Sequence, residues 1–414
     1  MRYFLQAIAF FSSVILFSSC NKDNGTAPDT GPYLYIHSGQ FEDYQLEKWI
    51  IITNGNGEIV GYKKIDATSD ESILTKRSAS IKDKINVYKI TIAKPNTTAI
   101  DVEVMAVLGV QPGQHCYLGS KVSATSGKTL NATLIKIPEK SFAFAGTGSF
   151  GMSQTDYTGG DGLIDSTKIS FSGMPSTPVY QVIVYTREAP KYVNVNYAAT
   201  GATKFNYPGD FLNFDHVIDV PTGKTPTLVL TSGIKAGVSF SFSALFSPFD
   251  MNKVDANQSI KLCYNDGYES YSTTYHIDNK WYFRNGSIPL ASSAIIPNRS
   301  VVVNSHDLYS FAATLPAEID YRSSGYSYSE IIGGVTNYYA LSITSDVKRN
   351  DSFDLKLPDE FVTAHGSTNF TKYNYTTSSF YEFENNEKYS NAVDILFAVP
   401  GGNNSVGRYA YDVN

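Results

Sequence analysis

Cysteine is scarce in this chain, which has 414 residues and three cysteines, Cys20, Cys116 and Cys263. Cys116 and Cys263 lie far apart in the sequence, and each falls in a strand-like run. They could pair in an oxidising compartment. We predict two separate buried thiols instead, because a free cysteine commonly serves as a small apolar residue in a core.

Charge is also sparse, since 17% of the residues are charged, and the formal net charge is −6. The chain has no basic run of the kind that neutralises phosphates, which argues against a nucleic-acid partner. Its six histidines are scattered, and no two stand at the spacing of metal ligands. We therefore expect no nucleic acid, no metal and no cofactor.

The sequence lacks an apolar run long enough to span a membrane as a helix, which needs about 20 residues. The run from Phe4 to Phe17 is shorter, follows Arg2 and leads into the small residues Ser18 and Ser19. This layout is typical of a secretory signal peptide over residues 1–19, which is removed after targeting.

The residues Phe17-Ser18-Ser19-Cys20 resemble the lipobox of bacterial lipoproteins, with Phe17 where that family usually has leucine. The resemblance implies that Cys20 becomes the lipid-bearing first residue of the mature chain. Residues 20–31 are polar and rich in Gly and Pro, which is typical of a flexible tether. Their Lys22-Asp23 pair resembles the export signal of Bacteroidota surface lipoproteins. The alternative is an ordinary signal peptide in which Cys20 has no role.

These features predict a protein that contacts the membrane through an N-terminal lipid. We expect it in the cell envelope, anchored to the outer membrane and exposed at the cell surface.

Most of the remaining chain alternates apolar and polar residues with a period of two, as strands do. Examples are 85–93, 100–106 and 238–243, and a hairpin is predicted around the turn at residues 54–57. The pattern predicts an all-β protein with two or three antiparallel β-sandwich domains in tandem, immunoglobulin-like or related. We place the domains at 32–138, 139–247 and 248–414. A propeller or one large barrel is the alternative, but no internal repeat of fixed period is present.

Only one segment reads as a helix, from Pro358 to Gly366, because acids follow the proline and a glycine ends the run. Val393, Ile395, Phe397 and Val399 alternate with other residues and predict another strand.

The short sequence motifs that could indicate catalysis lack the neighbouring elements or ligands that each of them needs. The glycine-rich segment 146–151 has no helix after it, and 159–165 lacks the ligands of a calcium loop. Two carboxylate pairs, Glu318 with Asp320 and Glu382 with Glu384, have a spacing that would suit a glycosidase if each shared a strand face. Exposed strands carry such pairs routinely.

Tyrosine is abundant, with 30 residues, many of them crowded into the final unit, as at Tyr338-Tyr339. Its flat apolar ring and polar tip suit contact with sugars or proteins, although β-proteins also use Tyr at half-buried strand positions. We therefore expect no enzyme activity. The predicted function is binding or structural, as an adhesin or glycan-capture accessory whose partner is a glycan or a cell-surface protein. The alternative is a lipid-anchored hydrolase acting on polysaccharide.

Overall fold

The structure, a computed structural model, describes a set of ranges separated by gaps. They are residues 33–37, 46–65, 84–93, 99–117, 128–139, 141–146, 153–156, 162–173, 179–186, 189–199, 201–221, 228–235, 238–245, 259–277, 279–286, 296–347, 353–384, 389–397 and 407–413. The predicted signal peptide, Cys20 and the tether lie outside the described residues.

The described residues form an all-β protein, which confirms the predicted fold class. The strands of the first half of the chain are β1 Leu34–His37, β2 Leu46–Asn54, β3 Ile59–Ile65, β4 Ile85–Ala93, β5 Asp101–Val110, β6 Gln114–Tyr117, β7 Lys128–Pro138, β8 Phe142–Gly146, β9 Ser153–Asp156, β10 Leu163–Gly173, β11 Val179–Tyr185, β12 Lys191–Asn196 and β13 Thr203–Asn206. Those of the second half are β14 Leu212–Asn213, β15 His216–Pro221, β16 Leu228–Lys235, β17 Val238–Leu245, β18 Ser259–Tyr264, β19 Ser270–Ile277, β20 Lys280–Gly286, β21 Val302–Ser305, β22 Ala312–Thr314, β23 Tyr321–Ile332, β24 Val335–Asp346, β25 Asn374–Phe383 and β26 Arg408–Val413.

Twelve strands form one sheet in the order β17-β16-β19-β20-β26-β25-β23-β24-β5-β4-β2-β3. Neighbouring strands run antiparallel throughout, except for the parallel pair β24 and β5. The strand order crosses both domain boundaries proposed from the sequence, at 138/139 and 247/248. The division into tandem domains stays a prediction.

A smaller two-layer sandwich packs the sheet β10-β7-β13 against the sheet β14-β12-β11-β8-β9. Its core takes alternate residues from both layers, such as Leu134 and Ile169 from one and Val182 and Val195 from the other. The apolar run 182–184 of β11 is buried on both sides of the strand.

Side chains on the two faces of the large sheet enter different cores, because successive residues of a strand point to opposite sides. We call face A the side that carries Ile50, Val87, Val107 and Tyr321; one part of it is covered by β1, β6 and the helix α2, Tyr389–Leu396. Face B is the opposite side and packs against the helix α1, Asp359–His365.

Helix α1 was predicted and is confirmed, with Asp359 and Glu360 in its first turn and Gly366 at its end with φ of +79°. A 3-10 turn, Phe370–Lys372, follows it. The only buried residue of α1 is Phe361, whose ring meets Trp49 edge to face at 5.4 Å between centroids.

Glu47 connects α1 to strand β2. Its Oε1 accepts hydrogen bonds from Trp49 Nε1 at 2.6 Å and His365 Nε2 at 2.7 Å, and it lies 3.0 Å from Lys64 Nζ. Burial alone raises the pKa of this carboxyl, but the three hydrogen bonds outweigh burial and hold the pKa below its usual range.

Helix α2 corrects the sequence analysis, which predicted a strand through Val393, Ile395 and Phe397. The buried side chains of this region are Tyr389, Ala392, Val393 and Phe397, at the spacing of one helical face. The tyrosine hydroxyl donates to the carbonyl oxygens of Leu108 and Thr344, which fixes the helix on face A. Val399 lies outside the described residues. No helix in the described ranges is long and apolar enough to cross a bilayer.

Both described cysteines are buried and form no disulfide, which confirms the prediction of separate thiols. In β6, Cys116 enters the core of face A, while the ring of His115 stacks on Tyr35 with 4.4 Å between centroids. The neighbours His115 and Cys116 therefore point apart, as expected for a strand.

Candidate functional site

The uncovered part of face A forms an open groove of about 920 Å³ across strands β4, β5, β24, β23 and β25. Its floor consists of two rows of side chains that the strand register aligns. The first row is Ala93, Asp101, Tyr338 and Ser329. The second row is Thr91, Glu103, Ala340, Ser327 and Asn374. Most of these side chains are small, so the groove is a depression in the surface of the sheet.

The register between β24 and β5 sets the groove, and a buried polar contact fixes that register. The side-chain oxygen of Asn337, which is 3% exposed, accepts a hydrogen bond from the backbone N–H of Ile100 at 2.8 Å. The N–H of Tyr338 in turn donates to the carbonyl of Ile100 at 3.2 Å. These bonds hold Tyr338 directly beside Asp101.

Tyr338 is the only aromatic residue of the two rows, and 59% of it is exposed. Its neighbour Tyr339 points to face B, where it stacks on Tyr328 with 4.3 Å between centroids and 1° between the ring planes. Tyr339 is thereby occupied by contacts within the protein, while the ring of Tyr338 is left accessible in the groove.

Asp101 presents an unsatisfied acceptor beside that ring. Its Oδ1 is buried and has no hydrogen-bond partner among the described residues. Glu103 stands in the next row and is exposed. No Lys, Arg or His is among the described residues that line the groove; Lys48 continues the second row beyond Thr91, and Lys89 lies on face A in the row after it.

Lys372, two residues before Asn374, is engaged on the opposite side of the sheet. Its Nζ lies 2.6 Å from Glu330 Oε2 and 5.7 Å from the centre of the Tyr328 ring, both on face B. The hydrogen bond from Lys372 holds the pKa of Glu330 below its usual range. Lys372 therefore does not neutralise the groove.

The tip of the β23–β24 hairpin extends the groove with an apolar rim. Ile331, on face A two residues beyond Ser329, is 73% exposed, and Ile332 is 58% exposed. Gly333 and Gly334 adopt φ of +61° and +82° in the turn between the strands, a conformation that glycine reaches without strain.

A second cavity, of about 570 Å³, lies where strands β23, β24 and β25 meet helix α2. We call it the acidic cavity, because five carboxylates line it together with Lys84: Glu318, Asp320, Asp346, Glu382 and Glu384. Both carboxylate pairs that the sequence analysis singled out are therefore brought to one place.

Several of these carboxylates are bound within the protein. Arg299 donates to both oxygens of Glu382 at 2.8 Å and lies 3.2 Å from Glu318. Asp320 Oδ2 accepts a hydrogen bond from the backbone N–H of Phe383 at 3.0 Å. Phe383 belongs to β25, the strand that also carries Glu382. Glu318 and Asp320 precede β23 instead of lying in a strand, so the predicted shared strand face is wrong for that pair. The arrangement favours a structural role for Glu382 and Asp320.

Some of the candidate residues named from the sequence lie elsewhere. Cys20 and most of the glycine-rich segments 146–151 and 159–165 fall outside the described residues. Where the chain is described, no three His, Cys, Asp or Glu residues are placed to hold a metal ion. Several of the final unit's tyrosines serve the cores, among them Tyr321, Tyr326 and Tyr411.

Sequence reasoning missed Asp101 and Glu103 as site residues. Their signal was present, because they are the polar positions of an alternating strand whose apolar positions are Val102 and Val104. Only the pairing of β5 with β24, some 237 residues away along the chain, places them beside Tyr338.

Comparison with known proteins adds no assignment. No protein-family model matches the chain, and no curated protein sequence is similar to it. Function is therefore inferred from the geometry of these two sites and from the N-terminal sequence.

Proposed function

We propose that this protein is a lipid-anchored, non-catalytic glycan-binding protein of the bacterial cell envelope, and that it binds its ligand in the groove on face A. The observation that carries the proposal is the exposed ring of Tyr338 beside the unsatisfied oxygen of Asp101, in a groove floored by small side chains.

Carbohydrates suit this combination of groups. The apolar face of a sugar ring packs on a flat aromatic side chain, and its hydroxyls donate to carboxylate oxygens. The polar side chains of Ser327, Ser329 and Asn374 supply further donors and acceptors along the groove floor. A volume of about 920 Å³ falls within the range of pockets that hold small ligands, so a short oligosaccharide fits.

The sequence supports the proposed anchor, because Cys20 stands directly after a signal-like segment and before a polar segment. Changing Cys20 to Ala removes the thiol that would be acylated. We expect the variant to leave the membrane fraction and to lose metabolic labelling with palmitate. Unchanged labelling would refute the lipid anchor and leave the proposal for the groove intact.

The binding site is tested by screening the delipidated protein on a glycan array beside a panel of hydrolase substrates. For a glycan that binds, Tyr338→Ala should weaken binding by about tenfold or more, since a central aromatic contact is worth at least about 1.4 kcal/mol. Tyr62→Ala is the matched control, because Tyr62 is 44% exposed on β3 of the same sheet but points to face B. Equal binding by wild type and the Tyr338 variant would place the ligand elsewhere.

One observation favours a second function, that of a hydrolase acting on polysaccharide: the acidic cavity brings Glu318 and Glu384 together with three further acids. Glycoside hydrolysis uses a pair of carboxylates across the scissile bond. Turnover of any polysaccharide that Glu384→Gln abolishes, with the circular-dichroism spectrum unchanged, would establish this second function and contradict the binding proposal.

A further inference from the structure

We propose that the glycan bound in the groove carries a protonated amine, and that this amine binds between the carboxylate of Asp101 and the ring of Tyr338. The inference rests on the proposed function, because it names the ligand class of the same groove.

Asp101 supplies the first reason. A buried carboxylate oxygen without a hydrogen bond costs free energy, and native proteins seldom leave one unsatisfied. Among the described residues, Oδ1 of Asp101 is buried and has no hydrogen-bond partner, and Asp101 lines the groove. A neutral hydroxyl gives a carboxylate a hydrogen bond, whereas an ammonium group gives it a hydrogen bond and an opposite charge. Oδ1 itself is shielded from solvent, so a ligand meets this carboxylate from the groove, where an amine also offsets its charge and a sugar hydroxyl does not.

The position of Tyr338 supplies the second reason. Tyr338 and Asp101 are register partners in the parallel pair of β24 and β5, so both side chains leave face A at the same level. The face of an aromatic ring attracts a cation within about 6 Å of its centre. An amine held by Asp101 then lies beside a ring that is 59% exposed.

The charge of the groove supplies the third reason. Glu103 lies one row from Asp101, and none of the described lining residues is Lys, Arg or His. The neighbouring lysines of face A, Lys48 and Lys89, flank the row of Glu103, whereas the row of Asp101 lies farther from them. Two carboxylates close together attract a cation and repel an anion, more strongly at low ionic strength. Glycans with sulfate or carboxylate groups are disfavoured here, neutral ones are tolerated, and amino sugars are preferred.

The test uses three β-1,4-linked tetrasaccharides that differ only at C2 of each sugar: glucosamine with a free amine, N-acetylglucosamine and glucose. Isothermal titration calorimetry of the delipidated protein at pH 5.5 measures each dissociation constant. We expect the free-amine tetrasaccharide to bind about tenfold or more tightly than the other two. Raising the salt from 20 to 500 mM should reduce this preference.

Asp101→Asn keeps the shape of the side chain and removes its charge. We expect this variant to lose the preference for the amine, so that its three dissociation constants agree to within about twofold. Asp165→Asn is the control with the same change in net charge, since Asp165 is exposed on β10, outside the groove. This control should keep the full preference.

The outcomes separate the two proposals. Equal binding of all three tetrasaccharides to wild type would overturn the amine inference and leave glycan binding in place. Binding of trilysine but of no tetrasaccharide, lost in Asp101→Asn, would overturn glycan binding and support the amine site. Binding of none of these probes would overturn both.

Discussion

Changing Phe361 to Ala tests how helix α1 is held on face B. Phe361 is 2% exposed and is the only buried residue of the helix. Burying a phenylalanine side chain is worth about 1.5–3 kcal/mol, and an edge-to-face aromatic pair such as the one with Trp49 adds about 0.5–1.5 kcal/mol. With the cavity that remains, the substitution should lower the free energy of unfolding by about 3–5 kcal/mol.

The assay is guanidinium denaturation followed by tryptophan fluorescence, because Trp49 contacts the substituted ring. Glu360→Ala is the control on the same helix, since Glu360 is exposed, and it should change the free energy of unfolding by no more than about 0.5 kcal/mol. A loss below about 1 kcal/mol in Phe361→Ala would show that α1 is not held through this side chain.

Three further predictions concern single residues. The pKa of Glu47 is lowered in the folded state, so its contribution to the free energy of unfolding is present above about pH 4.5 and is lost as the pH falls through the folded pKa. The difference in urea midpoint between wild type and Glu47→Gln should therefore shrink between pH 7 and pH 3. A difference that stays constant over this range would contradict the prediction. Gly57→Ala should destabilise the hairpin by about 1 kcal/mol or more, because Gly57 has φ of +76° and no room for a Cβ. Gly55→Ala is the control, since its new Cβ would contact no other atom, and it should be nearly neutral in thermal unfolding. Burial raises the pKa of Cys116 to about 12, so a thiol reagent at pH 8 should modify it only at the rate of unfolding, and rapid modification of the folded protein would refute its burial.

The strands were predictable from the sequence wherever one side of them is buried. The hairpin at residues 54–57 and the strand 85–93 are examples, because alternation and turn residues determine them locally. Helix α2 was mistaken because Val393, Ile395 and Phe397 also fit a period of two. The packing of Tyr389 and Ala392 against face A, which no local pattern contains, selects the helix.

The separate residues of the candidate site were visible in the sequence, but their arrangement was not. Crowded tyrosines that include Tyr338 were evident from the sequence, and so was the polar side of the strand that holds Asp101 and Glu103. Their meeting depends on a strand register between distant segments, which a single sequence does not contain. The same holds for the acidic cavity, whose two carboxylate pairs come from separate parts of the chain.

The place of β26 in the sheet has a consequence for how the protein folds. This strand, residues 408–413, lies between β20 and β25, so strands β17, β16, β19 and β20 join the others only through it. The ribosome synthesises β26 last among the described strands. Contacts between residues far apart in the chain form slowly, because the entropic cost of closing the loop must be met before the contacts stabilise the fold. If the chain is exported as proposed, the large sheet is completed only after residue 413 has crossed the membrane. A chain truncated before Arg408 would expose the edges of β20 and β25, which are templates for aggregation.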